Sequence, residues 1–205
     1  MVKLKFDEKG LIPVVAQDYR TGEVRMLAWA NREAVEKTLE KGCAHYYSRS
    51  RNKLWRKGET SGEIQRIREV RVDCDEDALL YVIDQELDRA CHMGERSCFF
   101  RSIEGEKIEK PLPFETLQRL QDVIRQRLRE KPEGSYTVRL AEEGMDRVIQ
   151  KLGEEAVECV IAIKNQDRRE ILAETADMLY MLTLALTLSD IDVVEVFEEL
   201  ASRMR

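Results

Sequence analysis

The apolar positions change period part-way along the chain. Up to about residue 105 they fall in short runs broken by glycines. Ile12–Gln17 and Val24–Trp29 flank a turn at Arg20-Thr21-Gly22-Glu23 and read as two strands. Asn31 is placed to cap a helix running to about Lys41, with Gly42 just past its end. Cys43–Ser48, Ile64–Val72, Leu79–Asp84 and Ser97–Ile103 read as further strands. The poor alternation of Ile64–Val72 marks either a bulge or a segment that is no strand. Ile103–Pro113 is polar and ends in Lys110-Pro111-Leu112-Pro113, a linker composition. Beyond it, Leu117, Leu120, Ile124 and Leu128 recur at helical spacing, and Pro132-Glu133-Gly134-Ser135 breaks the chain. Helices are predicted over roughly Met145–Lys164, Arg168–Leu188 and Val193–Arg203, with Asp167 and Asp190 as candidate caps. The pattern predicts a β-rich α+β domain over residues 1–105, a linker over 106–113 and an all-α bundle over 114–205, closed within one chain or across a dimer.

Charge sharpens this division. Residues 1–105 hold 19 basic and 19 acidic groups, whereas residues 106–205 hold 15 basic and 21 acidic. Neither half has the net basic charge of a nucleic-acid binder. The N-terminus lacks an apolar targeting region, and the five cysteines are an odd number. Both features fit a reducing cytoplasmic setting, where cysteines bind metal more often than they pair. The longest uncharged run, Met178–Ser189, is too short to span a bilayer and reads as part of a buried helix.

Candidate chemistry is concentrated between Asp73 and Cys98. Cys74, Cys91 and Cys98 are soft donors suited to zinc, and three protein ligands plus water is a catalytic rather than a closed arrangement. Zinc brings the pKa of water towards neutrality and suits attack on an electron-poor carbon such as C6 of a purine. His92 is placed to move protons or to serve as a fourth ligand. Cys43 and Cys159 lie in apolar patterns and read as core, while His45 is as readily structural as functional. Asp73, Asp75 and Asp77 alternate, so an extended chain would turn all three carboxylates to one side, where magnesium would relieve their repulsion. The same triplet alone is equally a solvated acidic turn. Arg49, Arg51, Lys57, Thr60 and Ser61 offer cations and hydroxyls suited to phosphate, and Trp55 could stack on a base or fill the core.

In the second half, Glu155 and Glu158 share one predicted helix face and Glu174 and Asp177 another. Glu174 and Asp177 are the only charges between Ile171 and Ser189, and bare acids on a mostly buried helix call for cations. With Glu154, these acids form a candidate magnesium site able to hold a polyphosphate. Glu155 and Lys151, one turn away, are candidate catalytic groups.

Three motifs resemble phosphoribosyl-AMP cyclohydrolase: Leu54-Trp55-Arg56-Lys57-Gly58-Glu59-Thr60-Ser61-Gly62, Asp73-Cys74-Asp75-Glu76-Asp77, and Ala90-Cys91-His92 through Ser97-Cys98-Phe99. Ser135-Tyr136-Thr137, Lys151 through Glu158 and Glu174 through Tyr180 resemble phosphoribosyl-ATP pyrophosphohydrolase, a relative of the MazG-type all-α pyrophosphatases. The whole resembles the bifunctional enzymes of histidine biosynthesis. That resemblance implies that the second domain acts first, cutting phosphoribosyl-ATP to phosphoribosyl-AMP and pyrophosphate. The first domain then hydrolyses the N1–C6 bond of the adenine ring. It further implies a homodimer whose zinc is held at the interface by Cys74, Cys91 and Cys98 drawn from both chains, with magnesium at Asp73, Asp75 and Asp77. Glu63 stands where the family commonly has asparagine, Leu87-Asp88-Arg89 replaces a usual Gly-Pro, and Met181 replaces a frequent histidine. Two rival readings are a zinc purine hydrolase fused to a general nucleotide pyrophosphatase, and a non-enzymatic protein with structural zinc.

Overall fold

The computed structural model describes residues 2–204, and the chain divides into two compact units, Met1–Leu112 and Pro113–Arg205. In the first unit β1 (Leu11–Asp18) and β2 (Val24–Asn31) pair antiparallel. The Asn31 side chain accepts the Ala34 N–H and starts α1 (Arg32–Lys41), which Gly42 ends in the left-handed region at φ 64°. β3 (His45–Ser48) and β4 (Lys53–Arg56) form a separate hairpin. β5 (Gln65–Val72) and β6 (Leu79–Gln85) complete a four-stranded sheet ordered β2-β1-β6-β5, with β6 parallel to β1. The irregularity in Ile64–Val72 is a bulge between Ile67 and Glu69. Ile12, Val14 and Ala16 alternate inward from β1 and meet Leu79, Tyr81, Ile83 and Tyr46 in the core.

Ser97–Ile103 is not a strand. Ser97 and Cys98 bind individually to β2, whereas Phe100 and Ser102 bond to Ile108 and Glu106 around an isolated bridge between Arg101 and Lys107. Conversely, β4 falls in a segment read for its cations and hydroxyls, where Lys53-Leu54-Trp55-Arg56 does not alternate.

The second unit contains α2 (Thr116–Glu130), α3 (Tyr136–Glu143), α4 (Met145–Asn165), α5 (Arg168–Leu188) and α6 (Val193–Arg203). Ile124, Leu140, Val148, Met181 and Leu184 form its buried core. α3 was not expected; it follows the chain break directly, started by Ser135 accepting the Val138 N–H. Asp167 caps α5 as expected, but α6 is capped by Asp192 in a reciprocal box with Glu195, while Asp190 turns left-handed at φ 58°.

The buried reading of α5 holds along one side only. Met181, Thr183 and Leu184 are buried, whereas Leu172 is 61% exposed and Leu179 and Leu182 also reach the surface. α4 likewise leaves Val157, Val160, Ile161 and Ile163 exposed. By length and composition α5 is apolar enough to cross a bilayer, which the shorter uncharged run did not suggest.

Candidate functional site

After β6 the chain takes two consecutive left-handed residues, Leu87 at φ 59° and Asp88 at φ 45°. Neither is glycine, so each conformation costs about 1–2 kcal/mol. A tight loop follows, in which the Cys91 N–H donates to the Glu95 carbonyl (3.0 Å) and the Gly94 N–H to the Cys91 carbonyl (2.9 Å). Gly94 sits at φ 84°, a conformation that favours its lack of a side chain. The loop lies on the free edge of β2: the Cys98 N–H donates to the Arg25 carbonyl (2.8 Å) and the Ser97 hydroxyl to the Val24 carbonyl (2.7 Å).

Cys91 is buried, Cys98 is exposed at the residue level, and the two thiols are near enough for Cys91 to disfavour ionisation of Cys98. Local desolvation and Cys91 push the Cys98 thiol up to about 11, with the Lys57 amine opposing. A thiol held protonated by burial beside a second thiol is one that a thiophilic divalent cation would ionise, so these residues fit zinc. His92 is exposed in the same turn.

Cys74 lies elsewhere. It is exposed in the turn before β6, its thiol 3.8 Å from an Asp75 carboxylate oxygen. The cysteine loop leaves the other end of β6, a strand of seven residues. At about 3.3 Å per residue the two ends are roughly 20 Å apart. The three cysteines form no common ligand group among the described residues.

Asp73, Asp75 and Asp77 do converge, with ligand oxygens within 4.8 Å of one another. They do so on a turn, not the extended chain expected: Glu76 is left-handed at φ 68°, and Asp73 Oδ1 accepts the N–H groups of Asp77 and Ala78, both at 3.0 Å. The Ala78 N–H leads in holding the Asp73 carboxyl low, while hydrogen bonding to Asp73 and the charge of Asp75 raise Asp77. Three exposed carboxylates at this separation fit a hard cation.

The basic segment is more divided than its sequence suggests. Arg49 lies over the Trp29 ring at 4.8 Å, and Arg51, Thr60 and Ser61 are exposed. Trp55 packs on Tyr46 with ring centroids 5.1 Å apart and against the core, which favours the packing role over a free stacking platform. Lys57 is not an open phosphate cation: it is buried and paired to Glu63 at 3.0 Å, with Arg89 3.8 Å from the same carboxylate. Gly58 lets this loop close, since a Cβ there would lie 2.4 Å from the Glu63 carbonyl carbon. His45 is buried, its Nδ1 2.8 Å from the Cys43 carbonyl oxygen, a structural placement.

In the second unit, ligand oxygens of Glu155, Glu158 and Glu174 lie within 4.8 Å of one another across α4 and α5. Desolvation and then Glu158 raise the Glu155 carboxyl, with Asp177 adding to the effect and Lys151 opposing it. Desolvation and the charge of Glu158 likewise raise Glu174. The cluster is a concentration of mutual repulsion, which suits it to a divalent cation. Glu154 faces a different neighbour set, pairing with Lys151 at 2.8 Å and accepting from Gln150 at 3.0 Å, and does not join the three-carboxylate group. Lys151 lies 3.8 Å from Glu155.

Each unit thus gathers its own ligand set, and each matches its own family. Residues 26–100 match the phosphoribosyl-AMP cyclohydrolase family, and residues 117–204 the phosphoribosyl-ATP pyrophosphohydrolase family. Over its whole length the chain is 65% identical to the full length of the histidine biosynthesis bifunctional protein HisIE of Aquifex aeolicus. The chain belongs to the HisIE family. Other HisIE relatives include those of Thermotoga maritima, 47% identical over 95% of this chain and 98% of the relative, and Thermoanaerobacter pseudethanolicus, 43% identical over 96% and 97%. Arg25 and Asp18, buried partners beneath the cysteine loop, fall just outside the segment that matches the cyclohydrolase family and were missed in the sequence. Their only sequence signal was a pair of charges in otherwise apolar strands.

Proposed function

We infer that the chain performs two hydrolyses of histidine biosynthesis, each in its own unit. The N-terminal unit opens the adenine ring of phosphoribosyl-AMP at the N1–C6 bond, and the C-terminal unit releases pyrophosphate from phosphoribosyl-ATP. The observation that carries the site assignments is the separation of ligand types: a thiol pair in one unit, and a carboxylate cluster in the other.

In the N-terminal unit Cys91 and Cys98 would hold zinc, with Cys74 supplied by a second copy, because one chain places Cys74 at the opposite end of β6. Bound zinc would supply hydroxide at neutral pH. His92, exposed beside the thiols, moves the proton that must reach N1 as the ring opens. Asp73, Asp75 and Asp77 would hold magnesium. Arg49, Arg51, Thr60 and Ser61 offer phosphate contacts at the surface, whereas Lys57 would have to leave Glu63 to do so.

The helical unit fits the MazG-type all-α pyrophosphatases. Glu155, Glu158, Glu174 and Asp177 would hold magnesium, and Glu155, beside Lys151, would accept the proton of the attacking water through an oxygen the ion leaves free. Water bonds to phosphorus, its proton passes to the carboxylate, and the bond to pyrophosphate breaks. Lys151 orients Glu154 and Glu155. The exposed apolar residues of α4 and α5 support a homodimer, and the unpaired thiols support a cytoplasmic setting.

Mass spectrometry of phosphoribosyl-ATP incubated with the protein, magnesium and zinc tests this reading. Loss of pyrophosphate followed by gain of one water is expected. Pyrophosphate loss alone would overturn the N-terminal assignment, and no change with both metals bound would overturn both.

A further inference from the structure

Besides the bonds of Ser97 and Cys98 to the β2 backbone, one buried side chain ties the loop carrying Cys91 and Cys98 to the sheet. Arg25, near the start of β2, is 2% exposed. Its guanidinium meets Asp18 at 2.9 Å, Glu23 at 3.1 Å and Asp88 at 2.9 Å, and donates to the Arg96 carbonyl at 3.3 Å. Arg96 in turn pairs with Asp88 and lies 3.5 Å from Glu23. The Arg25 carbonyl accepts the Cys98 N–H at 2.8 Å. One residue therefore grips the loop before Cys91, between the two cysteines, and at Cys98 itself.

Asp18 and Glu23 belong to the β1–β2 hairpin and would serve a guanidinium whose role was confined to that hairpin. The bonds to Asp88 and Arg96 reach beyond it. They also hold the segment in which Leu87 and Asp88 are left-handed, a backbone that persists in non-glycine residues only where its surroundings over-determine it.

We propose that Arg25, acting through Asp88 and the Arg96 carbonyl, is the positioning residue of the thiol pair, fixing Cys91 and Cys98 for a metal that Arg25 itself does not touch. The inference rests on the assignment of that metal to the two cysteines. Groups behind metal ligands commonly change affinity 10–100-fold when altered.

Cobalt(II) titration of the full-length protein reads this directly, through the thiolate-to-cobalt absorption band. Asp88→Asn takes the charge from the latch while Arg25 keeps Asp18 and Glu23, so no buried charge is stranded. Arg25→Lys keeps the charge but cannot present the same fork of donors. Both variants are expected to bind cobalt at least about 10-fold more weakly, with faster modification of the thiols in metal-free protein and unchanged pyrophosphate release. Wild-type cobalt affinity in Asp88→Asn overturns the proposal, and that variant decides alone should Arg25→Lys fail to fold. Absence of the band in the unaltered protein overturns the thiol assignment and the proposal with it, an outcome distinct from a normal band that the variants leave unmoved.

Discussion

The Lys57 amine sits 3.0 Å from the Glu63 carboxylate, with both side chains about nine-tenths covered. Desolvation alone would raise the Glu63 carboxyl, but the hydrogen bond and charge of Lys57, helped by Ser61 and Arg89, bring it below its ordinary value. A carboxyl lowered in the folded chain contributes stability above its unfolded range, and that contribution is lost as pH falls through the folded value. Lys57→Met should therefore cost the N-terminal unit about 3 kcal/mol near neutral pH, because removing one partner strands a buried charge. Urea unfolding should show that loss shrinking as falling pH protonates the stranded Glu63 carboxylate, and an unchanged midpoint at pH 7 would contradict the pairing. Cys98→Ala addresses chemistry instead. It should lower ring opening by at least about 100-fold, since a ligand matters at least as much as the groups behind it, and leave pyrophosphate release intact. Retained ring opening in a steady-state assay would remove Cys98 from the metal site.

Packing between helices sets the second site. α4 and α5 bring Glu155, Glu158 and Glu174 together, and Glu155 and Glu174 are both raised. Carboxyls raised in the folded chain oppose folding fully above their folded pKa, and the opposition fades as pH falls, ending below the unfolded pKa, where they are protonated in both states. Magnesium should accordingly raise the melting temperature of the helical unit at pH 7.5 and have little effect at pH 4; an equal rise at both would place the ion elsewhere. Gln121 performs a different task, donating from Nε2 to the Ile191 carbonyl at 2.8 Å and accepting the Val193 N–H at 2.9 Å, and so fixes α2 to the start of α6. Gln121→Leu leaves both backbone groups without these partners and should cost about 1–3 kcal/mol in chemical unfolding. The amphipathic stripe of α2 was legible in the sequence, as were the caps Asn31 and Asp167, because each is a local property. Ser97–Ile103 was misread because its apolar run resembles a strand while Ser97 and Cys98 bind β2 one at a time. The aspartate triplet was found for the wrong geometric reason, since period two was assumed where a left-handed Glu76 makes a turn. Partners such as Lys57–Glu63 and Arg25–Asp88 depend on tertiary contacts, which no periodicity displays.

The division at Leu112 and Pro113 gives each unit its own core and its own ligand set. Chains 1–112 and 113–205, prepared separately, are therefore expected to retain ring opening and pyrophosphate release respectively. Loss of either activity from a folded half would show that the site borrows groups from the other. The placement of Cys74 at one end of β6 and of Cys91 and Cys98 beyond the other has a genetic counterpart. A dimer that exchanges cysteines as proposed would have two crossed sites, each taking Cys74 from one chain and Cys91 and Cys98 from the other. Cys74→Ala and Cys98→Ala homodimers would both be dead in ring opening. In a mixed dimer both lesions fall on one site and the other is left whole, so random reassortment of two inactive proteins should restore about a quarter of the wild-type rate.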